Sequence, residues 1–144
     1  MFPVRFYYAD TKPIVLKNKK AVKSFISEIF SKEGKTIHKI NYIFCSDHYL
    51  LEINQKYLNH DFFTDIITFD LTEEHGIIGE IYISVDRVKE NAVIHSFSFR
   101  EELLRVLFHG AIHLCGYDDK KKSEITIMRK KEDYYLQLFK KQTK

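Results

Sequence analysis

The stretch REELLRVLFHGAIHLCGYDDKKKSE, residues 100–124, joins a long apolar segment to a polar turn. Apolar residues recur through its first half at helical spacing, which predicts a buried helix from about Phe99 to Cys115. Gly116 follows directly and is suited to the left-handed conformation that ends many helices. We therefore expect the chain to reverse at Gly116 and to bring the two aspartates that follow back towards the helix.

Two histidines lie four residues apart in this helix. His109 and His113 are separated by about one turn, so their rings project from the same face. The chain reversal can bring Asp118 or Asp119 beside them, and two imidazoles with a carboxylate suit zinc or another first-row divalent ion. Three protein ligands leave one position for water, which is typical of a catalytic metal site. The alternative is that both histidines are core residues bonded to backbone carbonyls.

Gly110 directly follows the first histidine. Glycine inside a helix costs about 1 kcal/mol relative to alanine, so we expect a packing or functional reason, such as the close approach of another backbone. The same glycine argues against a zinc protease of the His-Glu-x-x-His class, because that class places its general base at this position.

The rest of the chain reads as short strands and amphipathic helices. Strands are predicted at residues 4–8, 37–45, 66–71 and 77–84, and helices at 16–30, from Asp47 onward, and at 86–95, 99–115 and 123–139. Gly34 is expected to end the first helix and Asp47 to cap the second. Because strands and helices do not alternate strictly, we predict an α+β fold. One domain over residues 1–144 is expected, with a small mixed four-stranded sheet packed with about five helices.

The composition is that of a soluble globular domain. The 144 residues are 44% hydrophobic and 30% charged. No apolar run approaches the roughly 20 residues that span a bilayer, and the start MFPVRFYYAD lacks the features of a signal peptide. The two cysteines, Cys45 and Cys115, form no Cys-x-x-Cys pair. We therefore expect a cytoplasmic protein without membrane association and with two reduced thiols; a single disulfide is the alternative.

Charge is distributed unevenly along the chain. The formal balance is +5 over residues 1–48, −5 over residues 49–100 and +3 over residues 101–144. Basic segments can attract nucleic-acid phosphates. Lysine-rich helix faces that are simply solvated are the alternative reading of the two basic ends.

The motif HGAIHLCGYDD, residues 109–119, resembles the signature His-Gly-x-x-His-Leu-x-Gly-Tyr-Asp-His of the YbeY family of bacterial metal-dependent endoribonucleases. The matching positions are His109, Gly110, His113, Leu114, Gly116, Tyr117 and Asp118. INQKY at 53–57, TDIITFDL at 64–71 and GEIYIS at 79–84 are similar to further family segments. Arg105 is similar to a family arginine on the same helix.

Two positions depart from the family pattern. Asp119 stands where the family's third metal ligand is usually histidine, and the resemblance implies that Asp119 takes that place. Its negative charge is expected to make a bound water less acidic and to favour harder ions somewhat more. Leu58 stands where the family has an arginine after the tyrosine, and leucine cannot bind phosphate.

The resemblance implies a metal-dependent, single-strand-specific endoribonuclease that acts in 16S rRNA 3′-end maturation and ribosome quality control. A zincin-like helix would present His109, His113 and Asp119 to one divalent ion, with zinc expected. RNA, the ribosome and ribosomal proteins would be its partners.

Other residues carry weaker expectations. Arg105 could stabilise charge on the phosphate, or form an ion pair with Glu101 or Glu102. Lys120, Lys121 and Lys122 could guide an RNA backbone, or form only a solvated turn. No residue can be assigned as general base. Asp65 and Glu80 lie in family-like segments, but the pair Thr64 and Asp65 is expected to be structural.

Two further function classes are consistent with the residues. The first is a ribosome-associated binding factor whose metal site is mainly structural, which the departures at Leu58 and Asp119 leave open. The second is a metal-dependent hydrolase of another substrate, since a fold does not fix a substrate.

Overall fold

The computed structural model describes residues 3–144, which form four strands and five helices. The elements are β1 (Val4–Tyr8), α1 (Lys19–Lys32), β2 (Ile37–Cys45), α2 (Asp47–Leu58), β3 (Ile66–Asp70), β4 (Ile77–Ser84), α3 (Val85–Ile94), α4 (Phe99–Leu114) and α5 (Lys122–Gln142). The predicted α+β class is confirmed. None of the helices in this described range is long and apolar enough to cross a bilayer.

The four strands form one mixed sheet in the order β1-β2-β4-β3. β1, β2 and β4 are parallel to one another, and β3 pairs with β4 in antiparallel register. The polar residues between the two predicted strands β3 and β4 therefore close a hairpin. This connectivity leaves β3 as an edge strand, with one side open towards the helices that follow in the chain.

The two faces of the sheet are covered by different helices. The main core lies on one face, where α1, α4 and α5 pack against alternate residues of β2 and β4 such as Tyr42, Phe44 and Ile81. α2 covers the other face through a smaller cluster that includes Leu50 and Ile67. Alternation of side chains along the strands thus divides the apolar residues between two layers.

α4 lies close to the sheet at Gly110. A Cβ atom at this position would stand 3.0 Å from Ile81 Cδ1 and 3.2 Å from Ile66 Cδ1, closer than ordinary packing allows. The expected packing reason for this glycine is confirmed, but isoleucine side chains of β3 and β4, and not another backbone, occupy the space. Tyr42, fully buried in β2, also donates a 2.7 Å hydrogen bond to the Leu107 carbonyl of α4.

The ends of the helices partly follow prediction. Gly34 and Gly116 have φ of 72° and 107°, the left-handed conformation expected at the ends of α1 and α4. Asp47 does not cap α2: Ser46 does, because its hydroxyl accepts the Tyr49 amide. α1 begins at Lys19, and not at residue 16, because Asn18 itself takes a left-handed conformation that is incompatible with a continuous helix.

A buried glutamate joins α5 to the end of α1. Glu33 accepts hydrogen bonds from the Tyr117 hydroxyl at 2.9 Å, from the Lys131 ammonium at 2.9 Å and from the Tyr135 hydroxyl. Its side chain is 8% exposed. We call these four residues the Glu33 network; through Tyr117 it also reaches the loop between α4 and α5.

Candidate active site

A cleft with a volume of about 630 Å³ opens beside the edge strand β3. Residues of α4 and α5 line this cleft together with residues of the loop between α2 and β3. The three predicted metal ligands His109, His113 and Asp119 all line this cleft. The histidine pair is therefore not enclosed in the core, which was the alternative reading of its spacing.

His109 is held from both sides. Its Nδ1 atom lies 2.7 Å from Oε2 of Glu132, and its Nε2 atom lies 3.2 Å from Oδ2 of Asp119. Burial tends to lower the pKa of His109, but the hydrogen bond with Glu132 and the nearby carboxylates outweigh burial and raise that pKa above its ordinary value. The ring is thus oriented with one nitrogen towards α5 and the other towards Asp119.

His113 has a different support. Its Nδ1 atom lies 2.9 Å from the Tyr117 carbonyl oxygen, which can only accept a hydrogen bond. Nδ1 is therefore the protonated nitrogen of the neutral ring, and Nε2 is left as the basic one. Asp118 stands on the Nδ1 side, with Oδ1 at 3.9 Å. Of the two aspartates, only Asp119 is within 4 Å of a histidine Nε2.

The side chains of His109, His113 and Asp119 are suitable ligands for a divalent ion, although they do not converge on one point in this arrangement. Within residues 3–144, no group of three or more His, Cys, Asp or Glu side chains could hold a metal ion as arranged. However, both Nδ1 atoms are engaged by oxygen acceptors, the usual outer support of metal-binding histidines. Two basic Nε2 atoms and one carboxylate would then serve as ligands. His109 and Asp119 are in contact, and His113 faces the same cleft.

Glu132 was not found by sequence reasoning. It lies on α5, is 4% exposed, and bonds both His109 and the Arg105 guanidinium, the latter at 2.8 Å. Burial tends to raise the pKa of Glu132, but the bonds from His109 and Arg105 prevail and hold it below its usual range. The buried residues of α5 are Met128, Glu132, Tyr135, Leu136 and Phe139. A charged residue in that apolar helical stripe was the signal that could have identified it.

Arg105 is engaged by carboxylates of α5. Its second terminal nitrogen donates to Asp133 at 2.8 Å, so both Nη atoms are bonded. The alternative expectation was a surface or interhelical ion pair with Glu101 or Glu102; Arg105 does form an interhelical ion pair, but its partners are Glu132 and Asp133 of the neighbouring helix. Arg105 lines the cleft, and its contact with a phosphate stays a prediction.

The other cations divide into two groups. Lys120, Lys121 and Lys122 are exposed at the turn into α5 and, within residues 3–144, are not among the residues that line the cleft. Arg129, which sequence reasoning missed, does line the cleft and takes part in no ion pair of the described chain. Arg129 is thus the cleft's available guanidinium.

Two further carboxyl groups lie in the cleft. Asp65 is within 3.5 Å of the Asn91 amide nitrogen, and burial raises the pKa of Asp65. Glu102 is 4% exposed, its Oε1 atom has no hydrogen-bond partner in the described structure, and burial raises the pKa of Glu102 as well. Nδ1 of His95 lies 3.7 Å from this Oε1 atom. These groups can accept or hold a proton beside the histidines.

Similar proteins share both the sequence and the fold. Endoribonuclease YbeY of Flavobacterium psychrophilum is 52% identical over 116 residues, which cover 81% of this chain and 83% of that protein. Endoribonuclease YbeY of Karelsulcia muelleri is 47% identical over 135 residues, covering 94% and 95%. The solution structure of TM1509 from Thermotoga maritima, 33% identical, covers 94% of this chain and 88% of its own with a TM-score of 0.66.

A concave cleft with paired imidazoles, buried carboxyls and arginines on a small α+β domain defines an enzyme of the hydrolase type. The sequence profile described as Endoribonuclease YbeY matches residues 8–140, nearly the whole chain. The chain therefore belongs to the endoribonuclease YbeY family, as the motif at residues 109–119 predicted. Membership makes it an enzyme of the nuclease class.

Proposed function

We propose that this protein is a metal-dependent, single-strand-specific endoribonuclease that acts in the cytoplasm on the 16S rRNA precursor, in 3′-end maturation and ribosome quality control. The observation that carries the proposal is the pairing of His109 Nε2 with Asp119 at 3.2 Å, beside His113, in a cleft open to solvent. The ribosome and ribosomal proteins are the proposed partners.

His109, His113 and Asp119 would hold one divalent ion, with zinc proposed. When bound, such an ion lowers the pKa of a coordinated water and polarises a phosphoryl oxygen. The chain's own part is to prepare the ligands. Glu132 fixes the His109 ring through Nδ1, and the Tyr117 carbonyl does the same for His113.

Other residues of the cleft would bind and orient the RNA. Arg129 offers a free guanidinium for the phosphate, while Arg105 keeps Glu132 in place through a 2.8 Å ion pair. Lys120–Lys122 would act at longer range, since exposed cations attract a polyanion without contacting it. Asp65 and Glu102, whose pKa values are raised by burial, are the groups proposed to accept a proton.

The first test combines metal content with RNA cleavage. We expect near-stoichiometric metal in the wild type, lost together with cleavage in His113→Ala and Asp119→Ala. Asp118→Ala is the matched control, because this neighbouring carboxylate lies on the Nδ1 side of His113 at 3.9 Å. The control should keep both metal and cleavage. A wild type without metal after reconstitution, or variants that cleave without it, would contradict the proposal.

Leu58 favours a second candidate function. It lines the cleft where the family has an arginine, so one expected phosphate contact is missing. A ribosome-associated factor with a mainly structural metal site would tolerate this change. That candidate predicts that RNA or ribosome binding persists in Asp119→Ala, and that purified wild-type protein with bound metal cleaves no RNA. A metal-dependent hydrolase of a small substrate would instead hydrolyse model esters and bind no RNA.

A further inference from the structure

We infer that Phe62, backed by His60, is a stacking site for one base of a single-stranded RNA. The inference rests on the proposed function, and adds to it how the chain distinguishes single-stranded from paired RNA. The site lies on the loop between α2 and β3, which lines the same cleft as α4 and α5.

The two rings form a layered surface at the rim of the cleft. The ring centroids of His60 and Phe62 are 5.0 Å apart with an interplanar angle of 23°, which is a stacked arrangement. Phe62 is 55% exposed, and both rings line the same cleft as the histidines. The His60 ring thus stacks against Phe62, while much of the Phe62 side chain remains exposed to solvent. An exposed phenyl ring is costly to leave in water unless a partner covers it.

The loop that carries the rings is fixed in place. Asn54 is 1% exposed, and its side-chain amide donates a 2.9 Å hydrogen bond to the Phe62 carbonyl. The Asn54 carbonyl accepts the His60 amide at 3.1 Å, so one buried residue binds both ends of the stack. Gln55 adds a 2.5 Å bond to Asp61. Little ordering is therefore needed when a planar ligand binds, which favours affinity.

One cation of the cleft, Arg129, favours RNA as the occupant. Arg129 lines the same cleft as Phe62 and has no ion pair in the described chain, so it is available to a backbone phosphate of an RNA whose base stacks on Phe62. Bases of a single strand can splay out and stack on aromatic side chains, whereas paired bases cannot. Leu58 extends the same apolar surface.

Phe63 provides a matched control within the same loop. It is 46% exposed, similar to Phe62, but it packs under the Arg87 guanidinium at 5.1 Å and beside His48, and it is not among the described residues lining the cleft. The chain contains no tryptophan. Phe62→Trp and Phe63→Trp therefore each introduce a single tryptophan, whose emission can be excited apart from that of the nine tyrosines, in two different surroundings.

The experiment measures binding of a short single-stranded oligonucleotide and of a hairpin duplex to the metal-loaded full chain. Loss of one base stack weakens binding about fivefold or more. We expect that loss in Phe62→Ala for the single strand but not for the hairpin, and a change of less than about twofold in Phe63→Ala, whose ring makes no such stack. In Phe62→Trp, binding should be retained and the emission quenched by RNA, while the emission of Phe63→Trp should not change.

Two outcomes would overturn the inference alone. One is a wild type that cleaves RNA while Phe62→Ala binds and cleaves as well as Phe63→Ala. The other is an emission of Phe62→Trp that does not respond to saturating RNA. A wild type that neither binds nor cleaves RNA would instead overturn the proposed function, and the inference with it. Covering of Phe62 by an apolar peptide, with RNA excluded, would also contradict both.

Discussion

Glu132 and Glu33 are two buried glutamates that hold helix α5 against the rest of the protein, and they do so on different sides of it. Glu132 belongs to α5 and bonds Arg105 and His109 of α4. Glu33 follows α1 and is bonded by Lys131, the residue next to Glu132 in α5. In both cases burial tends to raise the pKa of the glutamate, and hydrogen bonds prevail and lower it.

The two glutamates differ in whether a residue bonded to them has a further polar atom that faces the cleft. The ammonium and the two hydroxyl groups that bond Glu33 end in that contact, so the Glu33 network stabilises a junction between helices. The imidazole bonded to Glu132 has a second nitrogen, which faces Asp119 in the cleft. A lowered carboxyl pKa is therefore a poor marker of function by itself. The informative feature is a partner whose other end is available to a ligand.

The largest expected effect concerns the metal site. Glu132→Gln keeps the shape of the side chain but removes the charge that orients His109, and outer partners of this kind change metal affinity about 10- to 100-fold. We expect zinc affinity, measured by competition with a chelator, to fall in that range, with cleavage falling alongside. Glu33→Gln is the matched control and should bind zinc like the wild type. Equal zinc affinities in the wild type, Glu132→Gln and Glu33→Gln would contradict the different roles that we assign to the two glutamates.

The second effect is on stability. Glu33→Gln removes a charge from a contact with Lys131, Tyr117 and Tyr135, and hydrogen bonds to charged groups contribute about 1.5–3 kcal/mol each at most. We expect the free energy of unfolding in urea to fall by about 2 kcal/mol. Cleavage per folded molecule should be retained. Loss of cleavage at full stability would mean that the Glu33 network acts on the site through Tyr117.

The third effect is the pH dependence of the difference in free energy of unfolding between the wild type and Glu33→Gln. Because the pKa of Glu33 is lowered in the folded chain below its ordinary value of 4.5, the unfolded chain binds the proton more readily. The stabilisation by Glu33 is therefore complete above pH 4.5 and is lost as the pH falls through the folded pKa. Urea unfolding of wild type and Glu33→Gln at a series of pH values should show two curves that converge in acid. Curves that stay parallel would contradict the assignment.

The smallest effect is expected at Asp133. This residue also bonds Arg105, but its side chain is 65% exposed and water screens the pair. Asp133→Asn should change the free energy of unfolding by less than about 0.5 kcal/mol and leave zinc affinity unaltered. A large loss of zinc affinity would show that Asp133 and Glu132 position Arg105 as one unit.

Local patterns predicted most of the fold. The pattern of residues 66–84 predicted the strands β3 and β4, and the apolar spacing around His109 predicted α4. Both signals are contained in a few neighbouring residues. The predicted starts of helices α1 and α2 were less accurate. The backbone conformation of Asn18 and the hydroxyl of Ser46 decide where these two helices begin.

The sequence predicted only the part of the candidate site that is formed by residues close to one another along the chain. The approach of His109 and His113 follows from helical spacing, but Glu132 lies 23 residues further on and meets His109 only because α5 packs on α4. The partners of Arg105 come from the same packing. The Phe62 stack depends on Asn54, a buried amide whose role no periodicity indicates. Long-range pairs between helices are thus the part that spacing along the chain cannot supply.

Gly110 has a consequence for the speed at which an ion is exchanged. The missing side chain seats α4 directly on Ile81 and Ile66, so both imidazoles stand on a helix that cannot move without the sheet. Asp119 lies on the short loop after Gly116 and is 43% exposed. Asp119 is therefore the ligand that could detach first, on the nanosecond to microsecond scale of loop motion, while the two imidazoles still held the ion. An ion would thus be exchanged in steps, with unfolding of the domain not required.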